Sequence, residues 1–150
     1  MNMNSIIIHS PDGSAAAAEL MHILAERSVQ ARLLEYGSGL TGYQIYSSIE
    51  ETDPDILFTI DLCGFSIRTE TDDAAYINLS CPNVHFLQKE LPTDTLDRLT
   101  GKLSIAMFFY CLDEGTYMYL QKNCPDMPYL KLVRDWAEGL ADALRELRAV

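Results

Sequence analysis

Two carboxylates stand directly after apolar stretches of the chain, where a side chain can be held rigidly and still meet solvent. Asp61 follows Ile56-Leu57-Phe58-Thr59-Ile60, and Asp113, with Glu114 beside it, follows Leu103 to Cys111. Such groups can act as a general base or hold a cation. Each also has a plainer use, Asp113 as a helix cap and Asp61 as a solvated strand end. His9 closes an earlier apolar run and His85 lies inside another, where a histidine more commonly satisfies a structural hydrogen bond than performs catalysis; His22 falls on a helical surface. Spacing alone identifies no serine, histidine and aspartate triad, because triads are recognised by geometry. Tyr110, Tyr117, Tyr119 and Tyr129 can line a sugar-stacking cleft or pack a strand against its helix. Cys63, Cys81, Cys111 and Cys124 contain no C-x-x-C pair, so they read as reduced, partly buried thiols and not as metal ligands or a redox centre. Cys63 and Cys81 are expected to approach one another, each following a segment that ends on the same sheet edge. No metal and no other cofactor is expected.

The elements that must position these groups follow from short apolar runs alternating with helical patterns. Pro54 biases Asp53 away from helix, and Ile56 to Ile60 has the length of a strand covered on both faces. Ser5 to His9 is a first strand, followed by the turn Ser10-Pro11-Asp12-Gly13-Ser14 and a helix ending near Ser28, with Asp12 or Ser14 expected to cap it. That turn has one glycine where a dinucleotide fingerprint has three. Ala31 to Tyr36 reads as a strand, the glycine-rich stretch 37–42 as a mobile loop, and Tyr43 to Thr52 as a helix. Beyond the loop Asp61 to Phe65 comes a short helix capped by Thr71, then a strand Val84 to Leu87, a polar connection Leu91 to Thr100, and a strand Leu103 to Cys111. A helix to about Asn123, a strand Tyr129 to Val133 and a terminal helix at about 135–148 complete the order. On that last helix Trp136, Leu140, Ala143, Leu144 and Leu147 form an apolar stripe opposite Glu138, Asp142 and Arg145. The stripe is expected to dock on the domain itself, with a homodimer contact as the other way to cover it.

This order predicts an α/β fold: a single three-layer, doubly wound domain spanning 1–150, with a mainly parallel sheet of Rossmann-like or flavodoxin-like type. In such sheets ligands sit outside the carboxyl ends of the strands. The expected ligand-binding residues are therefore His9, Ser10, Asp12, Gly13, Asp61, Cys63, Gly64 and Asp113, around a polar or anionic small molecule. Asp61 and Asp113 are the candidates for catalysis. With 22 acidic against 11 basic residues and a net charge of -11, the chain repels phosphate backbones and anionic lipid, so neither nucleic acid nor membrane is an expected partner. No apolar run approaches the roughly 20 residues that span a bilayer, and the first residues lack the cationic region of a secretory signal. A cytoplasmic protein is expected.

From Asn78 onward the chain also resembles a known family. A short helix, Pro82-Asn83-Val84-His85-Phe86-Leu87, the run Ser104 to Asp113, and Tyr117-Met118-Tyr119-Leu120-Gln121-Lys122-Asn123-Cys124-Pro125 resemble the N-terminal domain of GT-B glycosyltransferases of the spore-maturation type. Pro54 to Asp61 matches that family's "PD-hydrophobic" strand, while Gln88-Lys89-Glu90 departs from its acidic and histidine residues. The resemblance implies an acceptor-side domain taking a sugar or nucleotide-sugar. Lacking the second domain that closes over the donor, it would bind a ligand or protein partner and not transfer sugar alone. The strand ending in Asp61 also resembles the phosphoacceptor strand of a response-regulator receiver. That family needs acidic residues at the end of the first strand to hold magnesium, where His9-Ser10 stand, and a lysine after the fifth, where Cys111-Leu112-Asp113 stand. The second resemblance implies a degenerate receiver-like signalling domain.

Overall fold

The computed structural model describes residues 3–36, 42–63, 81–97, 99, 103 and 106–148. Six strands form one sheet: β1 (Met3–His9), β2 (Val29–Glu35), β3 (Ile56–Ile60), β4 (Asn83–Leu87), β5 (Met107–Cys111) and β6 (Leu130–Leu132). Their order is β2-β1-β3-β4-β5-β6. Every neighbouring pair is parallel, with Ile7 beside both Leu33 and Phe58, Thr59 beside His85, and His85 beside Phe109. β3, β4 and β5 are buried at every position, which is why they read as mostly apolar runs and not as alternating ones, with Thr59, Asn83 and His85 as the buried polar exceptions. The doubly wound α/β fold expected from the sequence is the fold observed. The helix expected after Thr71 lies outside the described residues, as do Gly64 and most of the glycine-rich stretch.

Helices cover both faces. On one, α1 (Ser14–Glu26) buries Ala17, Leu20 and Leu24, and α5 (Trp136–Arg148) buries Trp136, Leu140, Ala143 and Leu144, against Ile7, Phe58, Val84, Phe86 and Tyr110. On the other, α2 (Gly42–Thr52), α3 (Thr93–Asp97) and α4 (Glu114–Asn123) contribute Ile45, Ile49, Leu96 and Leu120 against Ile6, Ile8, Leu57, Leu87 and Phe109. The alternation of strand side chains between faces makes two cores from one sheet. α1 departs from expectation at its start. A 3-10 turn at Pro11–Gly13 leads in and Gly13 is the cap residue, without a side-chain hydrogen bond from Asp12 or Ser14.

The apolar stripe of α5 docks on its own sheet. Trp136 packs on Phe86 with ring centroids 5.0 Å apart, and Phe86 in turn stacks on Tyr110 at 5.6 Å. Gly139 permits that approach: a Cβ there would stand 2.7 Å from Phe86 Cε1 and 3.4 Å from Val133 Cγ2. Phe86 is fully buried and has no room to yield. Gly139→Ala is expected to lower stability by about 1–2 kcal/mol, overpacking outweighing alanine's better helix propensity. A urea midpoint equal to or above that of the parent would contradict this.

Asp142 corrects the expected helical wheel. Placed by period on the wet arc with Glu138 and Arg145, it is instead buried, and accepts hydrogen bonds from Tyr110 Oη at 2.8 Å, Tyr129 Oη at 2.5 Å and Lys131 Nζ at 2.9 Å, and from Arg145. Tyr110 and Tyr129 are thereby committed to the α5 face, while Tyr117 and Tyr119 pack on the opposite one, so the four tyrosines do not line one cleft.

Candidate functional site

β3 ends in an unusual turn. Asp61 still donates its backbone N–H to the carbonyl of Phe86 at 2.7 Å, but Asp61 and Leu62 both take the left-handed conformation, with φ of 54° and 59°. Neither is glycine, so each carries a steric cost of the order of 1 kcal/mol or more. This conformation turns the Asp61 carboxylate toward the loop after β4. Its Oδ1 accepts the backbone N–H of Gln88 at 2.8 Å and, more weakly, that of Lys89 at 3.4 Å. Burial raises the Asp61 carboxyl above its ordinary value, against the pull of those amides and of the Lys89 ammonium.

The same loop is held from β5. Asp113 caps α4, as expected, its Oδ2 accepting the N–H of Thr116 at 2.8 Å. The Thr116 hydroxyl donates to the carbonyl of Lys89 at 3.3 Å and accepts the N–H of Leu91 at 3.4 Å. A chain of contacts thus runs Asp61, Lys89, Thr116, Asp113 across the carboxyl ends of three neighbouring strands. Gln88, Lys89 and Thr116 were absent from the residues expected to bind. Thr116 carried a signal, since it stands three residues after the capping Asp113. Gln88 and Lys89 carried little, because they act mainly through main-chain N–H groups that nearly every residue possesses, the Gln88 side chain and the Lys89 charge only adding to them.

The β1 end forms a second cluster. His9 is buried and its Nδ1 donates to the carbonyl of Ser10 at 2.7 Å. A Cβ on Gly13 would lie 3.5 Å from His9 Cβ, 3.6 Å from Ser10 Oγ and 3.8 Å from Ile60 Cγ2, so the turn after β1 packs on the end of β3. Asp12 is exposed on that turn. His85 lies inside the sheet, its Nδ1 2.6 Å from Thr59 Oγ1 and its ring stacked on Phe109 at 4.8 Å. Cys63 sits at the Asp61 end, where burial, reinforced by that carboxylate, pushes its thiol up to about 11; it stays protonated and is no nucleophile at neutral pH. Cys81 corrects another expectation. It precedes β4, within the influence of Asp53 and Asp55 at the amino ends of the strands, and so stands at the opposite edge of the sheet from Cys63.

What this edge offers chemically is two convergent amides and a lysine, suited to an oxygen anion and filled by the chain's own carboxylate. Among the described residues no three histidine, cysteine or acidic side chains gather closely enough to hold a metal ion. Nor is any described helix long and apolar enough to cross a membrane.

No family model matches the chain, and no curated protein matches it either. Solved structures do. The signal receiver domain of a protein from Vibrio parahaemolyticus described as a Luxo repressor superposes with a TM-score of 0.50 over 97% of this chain and 89% of its own, at 7% identity. The likeness is one of fold. It overturns the resemblance to GT-B glycosyltransferases, because the matched architecture is that of a receiver and not of a sugar-transferring domain. The motifs behind that resemblance have a general physical origin. A proline-led apolar strand, an acid at a strand end and a proline-stopped helix are what a buried parallel strand feeding a capped helix needs in many α/β folds.

Proposed function

We propose that this chain is a receiver-like signalling module in which phosphoryl chemistry is disabled and which works by binding a partner. The fold likeness to a signal receiver domain supports the class. The observation that carries the rest is the state of Asp61, whose carboxylate is spent on the Gln88 and Lys89 amides. His9 ends β1 with Ser10 next to it, and Cys111-Leu112-Asp113 stand at the end of β5, in place of the acids and the lysine that phosphoryl transfer in such a site would use. The site residues of this reading are Asp61, Gln88, Lys89, Thr116 and Asp113, with His9, Ser10 and Gly13 packing beside them. An overall charge of -11 favours a basic or neutral partner over an acidic one. A cytoplasmic setting fits the four free cysteines.

The test is beryllofluoride with magnesium added to isotope-labelled protein. The amide resonances of Asp61, Gln88 and Lys89 are expected to stay in place. A saturable shift of those resonances that vanishes in Asp61→Asn would establish a working phosphoacceptor and overturn the reading.

A further inference from the structure

We infer that Asp61 is an internal latch, its carboxylate on the Gln88 and Lys89 amides and Thr116 on the Lys89 carbonyl together clamping the turn after β4 between β3 and the first turn of α4. The latch stands without the functional reading above, since it concerns only what fixes this edge of the sheet.

Lys89 is gripped from two sides. Its N–H is taken by a residue of the β3 end and its carbonyl by a residue of α4, so neither element can shift without the turn responding. Gln88 adds the shorter bond, 2.8 Å to the same Oδ1. Two amides from consecutive residues converging on one oxygen select an anion, and a hydrogen bond to a charged acceptor is stronger than a neutral one. The backbone shows what this contact offsets. Two adjacent non-glycine residues, Asp61 and Leu62, are held left-handed, and Leu62 is buried among the core side chains, which fixes the direction in which Asp61 points. Any outside anion that sought these amides would first have to displace Asp61. Thr116 completes the connection, because its N–H is already anchored by Asp113 and its hydroxyl bridges Lys89 to Leu91.

Amide hydrogen exchange on the full chain tests this. In Asp61→Ala the amides of Gln88 and Lys89 are expected to exchange faster by on the order of tenfold or more, and those of Leu91 and Thr116 to accelerate with them, while Phe86 inside β4 keeps its protection. Asp61→Asn, which keeps one acceptor oxygen and loses the charge, should give a smaller rise at the same positions. Unchanged exchange at Gln88 and Lys89 would overturn the latch; acceleration there without Leu91 and Thr116 would overturn the clamp onto α4. If Asp61→Ala does not fold, Thr116→Val decides. Faster exchange at Lys89 and Leu91 with Gln88 still protected is expected, and no change at Lys89 and Leu91 would refute the clamp.

Discussion

Replacing Asp142 by alanine is expected to cost about 3 kcal/mol of stability, read as a lower urea midpoint with an unchanged slope. Four donors converge on this one buried carboxylate: Tyr110 from β5, Tyr129 from just before β6, Lys131 from β6 and Arg145 from α5 itself. The largest part of the loss comes from Tyr110, fully buried in the sheet, whose hydroxyl would lose its charged acceptor and keep only the neighbouring Tyr129 hydroxyl. Lys131 and Arg145 are roughly half exposed or more and can turn to water, so their share is small. A second variant separates these contributions. Tyr110→Phe should destabilise the parent but cost much less in the Asp142→Ala background, since there it removes a hydroxyl that has already lost its charged acceptor. A cost below about 0.5 kcal/mol for Asp142→Ala would show that solvent reaches the site. Burial alone would raise the Asp142 carboxyl, yet the donors Tyr129, Lys131 and Tyr110 outweigh it and hold it down to about 2. Its contribution is therefore complete above the ordinary aspartate value of 3.8 and disappears as pH falls through about 2.

His85 sets a milder acid limit that acts earlier. Complete burial between Thr59 and Phe109 lowers its ring from 6.5 to about 3, so the folded chain holds it neutral where the unfolded chain protonates it. The folded value lies below the unfolded one, so this stability is complete above pH 6.5 and is lost as pH falls toward 3. The slope approaches about 1.4 kcal/mol per pH unit, and between pH 7 and 5 the loss should be about 2 kcal/mol. His85→Gln, which retains polar atoms for Thr59 but cannot titrate, should flatten that part of the curve. Parallel pH profiles for parent and variant would show that His85 does not carry the effect.

The fold was legible because burial writes itself into residue type. Ile56 to Ile60 and Val84 to Leu87 are covered on both faces and so are apolar apart from the paired Thr59 and His85, and Trp136, Leu140, Ala143 and Leu144 repeat at the helical period. Asp142 was illegible because period alone places it with Glu138 and Arg145; only Tyr110 and Tyr129 beneath it, brought together by β5 and β6, turn it inward. Cys81 was assigned to the wrong edge because, in a parallel sheet, residues just before a strand and just after one lie at opposite ends, a strand's length apart. At the site, Asp61 and Asp113 stood out as acids at strand ends. The amides of Gln88 and Lys89 that give Asp61 its role could not, and the left-handed turn that aims it has no glycine to announce it.

The strand order also governs how the chain can be assembled in time. Met3 pairs with Val29, and Ser5 with Ile56, so the first strand gains its second neighbour only after two helices and another strand have been made. Among the described residues every ladder is parallel, so none of these pairings is a hairpin and each must close a long loop before any contact rewards it. Until β3 emerges, Ile6, Ile7 and Ile8 find only those parts of the two cores that α1, β2 and α2 supply, and a chain cut before Ile56 leaves β1 with one edge unpaired. Such an edge is the region of this molecule most prone to pair with the wrong chain.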